Sequence, residues 1–183
     1  MRHPTHDYSS AGAYFVTICS YERHLLFEDN SVRQVIDWAW HQIPNHFALA
    51  RTDAFVVMPN HVHGIIRLNP SMVGAHHGAR LPSTANRRTT RNPPAPTLGV
   101  IVRMFKSAVT RELRVQNLWD EQPFWQPNFF DRVIRDTSDL ARVREYIANN
   151  PAAWAHDQEN PERVPDRLYE AQWVWLENIT PQA

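Results

Sequence analysis

Residues 48–68 read Ala48-Leu49-Ala50-Arg51-Thr52-Asp53-Ala54-Phe55-Val56-Val57-Met58-Pro59-Asn60-His61-Val62-His63-Gly64-Ile65-Ile66-Arg67-Leu68. Two runs rich in β-branched and apolar residues, Ala48 to Met58 and His61 to Leu68, flank the short turn Pro59-Asn60. Runs of that kind around a turn predict a hairpin of two strands. In the second strand, alternation sends Val62 into a core and turns His61, His63 and Ile65 to the opposite face.

Working outward, Tyr14 to Cys19 is β-branched and aromatic and reads as a strand. Between it and the hairpin, Asn30-Ser31 opens a segment with Val32, Val35, Ile36, Ala39 and Trp40 at helical spacing, which Pro44-Asn45 is expected to end. Beyond the hairpin, Thr97 precedes a second helical pattern of Leu98, Ile101, Val102, Phe105, Ala108, Val109 and Leu113. Phe124 to Ile134 supplies a fourth strand. Thr137 or Ser138 is expected to cap a last helix with Leu140, Val143 and Ile147 on its apolar side, stopped at Asn149-Asn150-Pro151. There is no internal repeat. The order strand, helix, strand, strand, helix, strand, helix predicts an α+β, ferredoxin-like (RRM-like) split β-α-β fold. Its sheet would be antiparallel and four-stranded, with helices mainly on one face and an extra C-terminal tail.

The chain's 183 residues suffice for one domain and a tail. The domain is expected over 1–154 and an acidic, Trp-containing tail over 155–183; Trp173 and Trp175 in the tail, with Trp154 just before it, suggest docking on the body. Residues 69–96 are crowded with Pro, Gly, Ser, Thr and Arg and are expected to form a flexible basic loop. No apolar run approaches the roughly 20 residues of a membrane span. Met1 to Asp7 holds no apolar stretch of a secretory signal, and Cys19 is the single cysteine. A cytoplasmic location is therefore expected, and an intramolecular disulfide is excluded.

Net charge is zero, from 19 basic and 19 acidic residues, yet the charges are segregated. From Arg80 to Arg114 Glu112 is the only acid, against Arg80, Arg87, Arg88, Arg91, Arg103, Lys106, Arg111 and Arg114; from Asp157 to Glu177 acids dominate. A basic middle suits a polyanion partner, with the tail a competitor for the same surface. A solvated helix face is the plainer alternative for Arg103, Lys106 and Arg111.

His61 and His63, two apart on a strand, can aim both imidazoles at one point, which suits a divalent metal; two ordinary surface histidines remain the alternative. Tyr146 and Asn150, four apart on a helix, project together; a packed ring and a helix terminator remain the alternative. Combined, two imidazoles and an amide oxygen can hold Mg²⁺ or Mn²⁺ beside a phosphodiester, with Tyr146 as in-line nucleophile.

The blocks Met58-Pro59-Asn60-His61-Val62-His63-Gly64-Ile65, Phe105-Lys106-Ser107, Phe124 to Asp136, and Tyr146-Ile147-Ala148-Asn149-Asn150-Pro151 occur in this order. The chain thereby resembles the REP-associated tyrosine transposases, a branch of the HUH single-tyrosine transposases (U being a hydrophobic residue), from about Tyr14 to Trp154. The resemblance implies a ferredoxin-like fold, a divalent metal, and cleavage and rejoining of single-stranded DNA at repetitive palindromic hairpins. It assigns His61 and His63 to the HUH pair, Tyr146 to the nucleophile and Asn150 to the polar residue that completes the metal site. Many relatives carry a tyrosine where this chain has Phe129 or Phe130, read here as packing in the fourth strand. On this reading Arg87, Arg88, Arg91, Arg103, Lys106 and Arg111 are expected to contact single-stranded or hairpin DNA, and a monomer is favoured over a homodimer. Two rivals are a domesticated hairpin-DNA binder without cleavage and an RNA-binding module. The latter lacks the aromatic pairs such modules stack on bases.

Overall fold

The computed structural model describes residues 11–69, 96–120 and 123–177. Its sheet has four antiparallel strands in the order β2-β3-β1-β4, with β1 at Gly12–Cys19, β2 at Ala50–Val57, β3 at His61–Leu68 and β4 at Phe130–Ile134. The helices are α1 (Asn30–His46), α2 (Leu98–Val115), α3 (Thr137–Asn149) and α4 (Arg167–Glu177). This is the expected ferredoxin-like α+β fold.

Strand alternation divides the core into two layers. Tyr14, Val16 and Ile18 of β1 and Val62 and Ile66 of β3 pack under α1 and α2, around Trp40, Ile36, Ile101 and Phe105. Phe15 and Ile65 face the other way, against Val143, Tyr146 and Ile147 of α3 and Tyr169 and Leu176 of α4. The two longest helices therefore share one face, and the C-terminal helices cover the other. Each large apolar side chain buried in these layers contributes about 1.5–3 kcal/mol before chain entropy is counted.

Several boundaries shift for identifiable reasons. The α1 cap is Asp29, whose carboxylate accepts from the amides of Ser31 and Val32 at 2.7 and 3.3 Å. Pro44 does not end α1, which runs to His46. Proline forfeits only its own N–H, and the Phe47 amide still reaches the Ile43 carbonyl at 3.0 Å. Neither Thr137 nor Ser138 caps α3; the Asp136 carboxylate does, accepting from the Asp139 amide at 2.8 Å. Strand β4 begins only at Phe130, because Asn128, with φ 65°, breaks the extended run after an isolated bridge between Trp125 and Ser20. Asn150-Pro151 does not stop the chain's helical path: a 3-10 segment, Asn150–His156, continues it, with proline near the first position it tolerates.

The tail is docked. Tyr169 and Leu176 are buried in the second layer, and the Trp175 ring lies 4.5 Å from the Arg132 guanidinium carbon and 4.0 Å from that of Arg142. Each such contact is worth about 0.5–2 kcal/mol. Of the basic loop expected over 69–96, residues 70–95, with Arg87, Arg88 and Arg91, lie outside the described residues. Among the described residues no helix is long and apolar enough to cross a membrane.

Candidate active site

Strand β3 begins at His61, and its pleat turns His61 and His63 toward α3 and the tail. Both are fully buried. Their Nε2 atoms lie 3.0 Å apart. Asn60 fixes the tautomer of the first: its amide NH₂ donates to the carbonyls of Arg23 and Glu159 at 3.0 and 2.6 Å. The Asn60 Oδ1 is thereby left facing His61 Nδ1 at 2.9 Å. An amide oxygen only accepts, so Nδ1 carries the proton and Nε2 of His61 presents a lone pair. His63 Nδ1 sits 2.9 Å from the Thr17 hydroxyl, across the β1–β3 ladder where Thr17 pairs with His63. The hydroxyl accepts from Nδ1 when Nε2 of His63 is the ligand atom.

The α3 helix brings Tyr146 to the same point. Its hydroxyl is 3.5 Å from His63 Nε2 and 3.3 Å from the Tyr169 hydroxyl. Phe15 packs against the Tyr146 ring edge-on at 6.0 Å and against His63 at 5.2 Å, so one buried phenyl spaces phenol and imidazole. Asn150, one turn beyond Tyr146, is buried; its Nδ2 donates to the Tyr169 hydroxyl at 3.3 Å. The Tyr169 hydroxyl donates in turn to Asp157 Oδ2 at 2.7 Å, and that oxygen lies 3.8 Å from His61 Nε2.

Burial sets the electrostatics. It lowers the His61 pKa to about 3, with the Arg23 charge adding to the effect. Burial, then His61, also holds His63 well below the ordinary imidazole value, so both rings are neutral at pH 7. Burial raises the Tyr146 pKa above the ordinary phenol value, and Tyr169 and Asp157 push it further. The resting tyrosine is therefore a neutral phenol.

The donor set fits a hard divalent cation. Two imidazole nitrogens lie at the separation two ligands of one ion adopt. The buried Oδ1 of Asn150 has no hydrogen-bond partner among the described residues. His61, His63 and Asp157 also form a cluster whose ligand atoms lie within 4.8 Å of one another. A buried acceptor left unpaired costs about 1–3 kcal/mol, which a cation would offset.

No protein-family model matches the chain. An uncharacterized Haemophilus influenzae protein is 36% identical over 165 residues, spanning 84% of this chain and 87% of its own length. A second protein of that organism, named for the REP-associated tyrosine transposases, is 24% identical over 149 residues, 79% of this chain and 73% of its own. The solved structure of a REP-associated tyrosine transposase bound to a REP hairpin has the same fold, with a TM-score of 0.55 and 21% identity over 84% of this chain and 74% of that one. The chain is thus similar in sequence to a protein named for the REP-associated tyrosine transposases and shares the fold of a solved one.

In this chain the four residues read from β3 and α3, His61, His63, Tyr146 and Asn150, meet in one buried cluster. Phe129 and Phe130 are packed, Phe129 against the first core layer and Phe130 edge-on to Phe15 at 6.4 Å. Arg103, Lys106 and Arg111 line a cleft of about 820 Å³ between α2 and residues 123–129. Lys106 is already engaged there: its ammonium donates to the carbonyls of Gln126 and Asn128, and burial lowers its pKa to about 8. It ties down the segment that carries Trp125.

Sequence reasoning missed Asp157 and Tyr169. Both lie in the tail beyond Trp154, and neither shares a strand or helix period with His61 or Tyr146. The Trp-bearing composition signalled docking, but not which acid goes inside.

Proposed function

We propose that this protein is a metal-dependent single-stranded DNA transposase that cleaves and rejoins DNA at hairpin-bearing, REP-like sequences through a covalent 5′-phosphotyrosine. The observation that carries the reading is the approach of the Tyr146 hydroxyl to within 3.5 Å of an imidazole pair whose Nε2 atoms are 3.0 Å apart. On this reading His61, His63 and Asn150 hold Mg²⁺ or Mn²⁺. When bound, the cation supplies positive charge that offsets phosphate charge and favours the phenolate. The Tyr146 phenol gives up its proton to solvent as its oxygen forms the new P–O bond, and the 3′ oxygen of the cut strand departs with the bonding pair and takes up a proton to become a 3′-hydroxyl. Thr17 and Asn60 keep the two imidazoles oriented. Attack by another 3′-hydroxyl reverses the step, so joining needs no nucleotide cofactor. Arg103, Arg111 and the remaining proton of Lys106 engage backbone phosphates along the α2 cleft, and Arg87, Arg88 and Arg91 are further candidates for phosphate contact.

A second reading, a hairpin-DNA binder that does not cut, is favoured by the enclosure of Tyr146, which is 6% exposed beneath the tail. One experiment separates the two. Labelled hairpin DNA with single-stranded flanks is incubated with protein and Mn²⁺, then run on a denaturing gel. A covalent adduct that disappears in Tyr146→Phe and in EDTA, with hairpin affinity retained in the variant, supports the transposase. Tight binding with no adduct supports the binder, and an adduct that survives Tyr146→Phe removes Tyr146 as nucleophile.

A further inference from the structure

Among the described residues, Asp157 is the one acid of the tail taken fully out of water beside the imidazole pair. Its position is built. Oδ1 accepts from the Glu159 amide at 2.7 Å, and Oδ2 accepts from the Tyr169 hydroxyl at 2.7 Å. Neither partner carries charge. The nearest cationic candidate is His61, whose Nε2 stands 3.8 Å from Oδ2. That imidazole already donates its Nδ1 proton to Asn60 and turns its bare nitrogen to the carboxylate. Arg23, the nearby guanidinium, is paired with Glu159 instead. A fully buried carboxylate with no cation among the described residues is costly, and proteins resolve such sites by pairing or by metal coordination. Two hydrogen bonds from neutral donors are the usual orientation of a metal-bound carboxylate.

We propose that Asp157 is a further protein ligand of the divalent cation, held in place by Tyr169, so that the C-terminal segment is part of the metal site. This rests on the metal reading above and deepens it. His61, His63 and Asn150 come from the sheet and from the end of α3; Asp157 arrives from the chain beyond, anchored through Tyr169 to α4. Four donors, two nitrogen and two oxygen, leave room in a six-coordinate Mg²⁺ or Mn²⁺ shell for a phosphate oxygen and water. Because Asp157 sits with the metal only when the tail is docked, cation binding and docking of α4 are linked: each favours the other.

The test measures Mn²⁺ binding to the full chain by the EPR signal of free Mn²⁺. Asp157→Asn keeps the shape and removes the charge; Glu162→Gln neutralises an exposed tail acid; His61→Ala is the control for the site. Asp157→Asn is expected to weaken Mn²⁺ at least about tenfold, the lower end for disrupting a metal's ligand environment, with Glu162→Gln unchanged and His61→Ala without specific binding. Mn²⁺ affinity unchanged in Asp157→Asn but lost in His61→Ala overturns the role of Asp157 and leaves the metal reading standing. Binding that His61→Ala does not alter overturns the metal reading itself. A second measurement uses only the wild-type protein, so that a misfolded variant cannot obscure the answer. Mn²⁺ is expected to slow amide hydrogen exchange in Arg167–Glu177, and exchange there indifferent to saturating Mn²⁺ overturns the linkage.

Discussion

Gly64→Ala tests how the histidine strand is seated. A Cβ placed on Gly64 meets Trp40 Cη2 at 2.4 Å, Trp40 Cζ2 at 2.5 Å and Phe55 Cδ2 at 3.1 Å. Carbon atoms settle about 3.5–4.0 Å apart, so the indole must retreat by roughly 1 Å. It has little space for that. Trp40 is 1% exposed, stacked on Phe55 at 4.4 Å and edge-on to Phe105 at 5.7 Å. Overpacking costs about 1–3 kcal/mol, and a clash with ring atoms rather than a flexible tip belongs at the upper end. Removing a glycine from the unfolded chain returns about 0.4–1 kcal/mol. The net expectation is a loss of about 2 kcal/mol, or about 4–8 °C in Tm for a chain of this size. Trp40→Phe removes both clashing atoms, together with an indole N–H that has no partner among the described residues. Urea denaturation of the two single variants and the double should show the Gly64→Ala penalty shrinking by about 1–2 kcal/mol when Trp40→Phe is already in place. A Gly64→Ala protein within about 0.5 kcal/mol of wild type, or strict additivity in the cycle, would refute the reasoning.

Three further outcomes follow from the geometry. Thr17→Val removes the hydroxyl 2.9 Å from His63 Nδ1 and should weaken Mn²⁺ binding about 10–100-fold while Thr17→Ser preserves it, as read by calorimetry. Arg144 donates to both carboxylate oxygens of Asp53 at 2.8 and 2.7 Å, and this bonding holds the Asp53 pKa below the ordinary carboxylate value. Its stabilisation is therefore present above the unfolded carboxylate pKa of about 4 and lost as pH falls through the lower folded one. With Arg144 half exposed, the loss should stay below about 1 kcal/mol, and urea midpoints across about pH 2–6 should show a shallower acid slope in Arg144→Gln. Replacing Arg103 and Arg111 together by Gln should lower the salt dependence of hairpin-DNA binding by up to about two phosphate charges, measured by filter binding between about 50 and 200 mM salt; an unchanged slope would remove the α2 cleft from the DNA path.

What the sequence disclosed is what periodicity encodes. His61 and His63 share a face because strands repeat every two residues, and Tyr146 and Asn150 share one because helices nearly repeat every four. Those periods pair His61 with His63 and Tyr146 with Asn150, and the hairpin plus two amphipathic helices sufficed for the fold; that the two pairs meet is tertiary packing that only the structure shows. Asp157 and Tyr169 follow no such rule. They are joined to Tyr146 by a 3-10 segment and an irregular stretch, whose path is set by tertiary contacts such as the two guanidinium groups over Trp175. The caps shift by one residue for a related reason. Asp29 and Asp136 each precede residues that are themselves plausible caps, and only the geometry shows which oxygen reaches the free amides.

The segment Asn60 to Ile66 shows how one strand serves both layers. Its odd positions, His61, His63 and Ile65, build the polar cluster and the floor under α3. Its even positions, Val62, Gly64 and Ile66, belong to the layer under α1 and α2, where the missing side chain at 64 makes room for Trp40. A slip of one residue in the β2–β3 register would put both imidazoles into the apolar layer, where neutral nitrogens find no partners. The pairings Phe55 with Gly64 and Val56 with His63 therefore do more than close a hairpin. By seating Phe55 and Trp40 on a glycine, the apolar layer favours the observed register, and that register delivers His61 and His63 to Tyr146. Precision at the polar site is thus set by steric exclusion on the opposite side of the sheet.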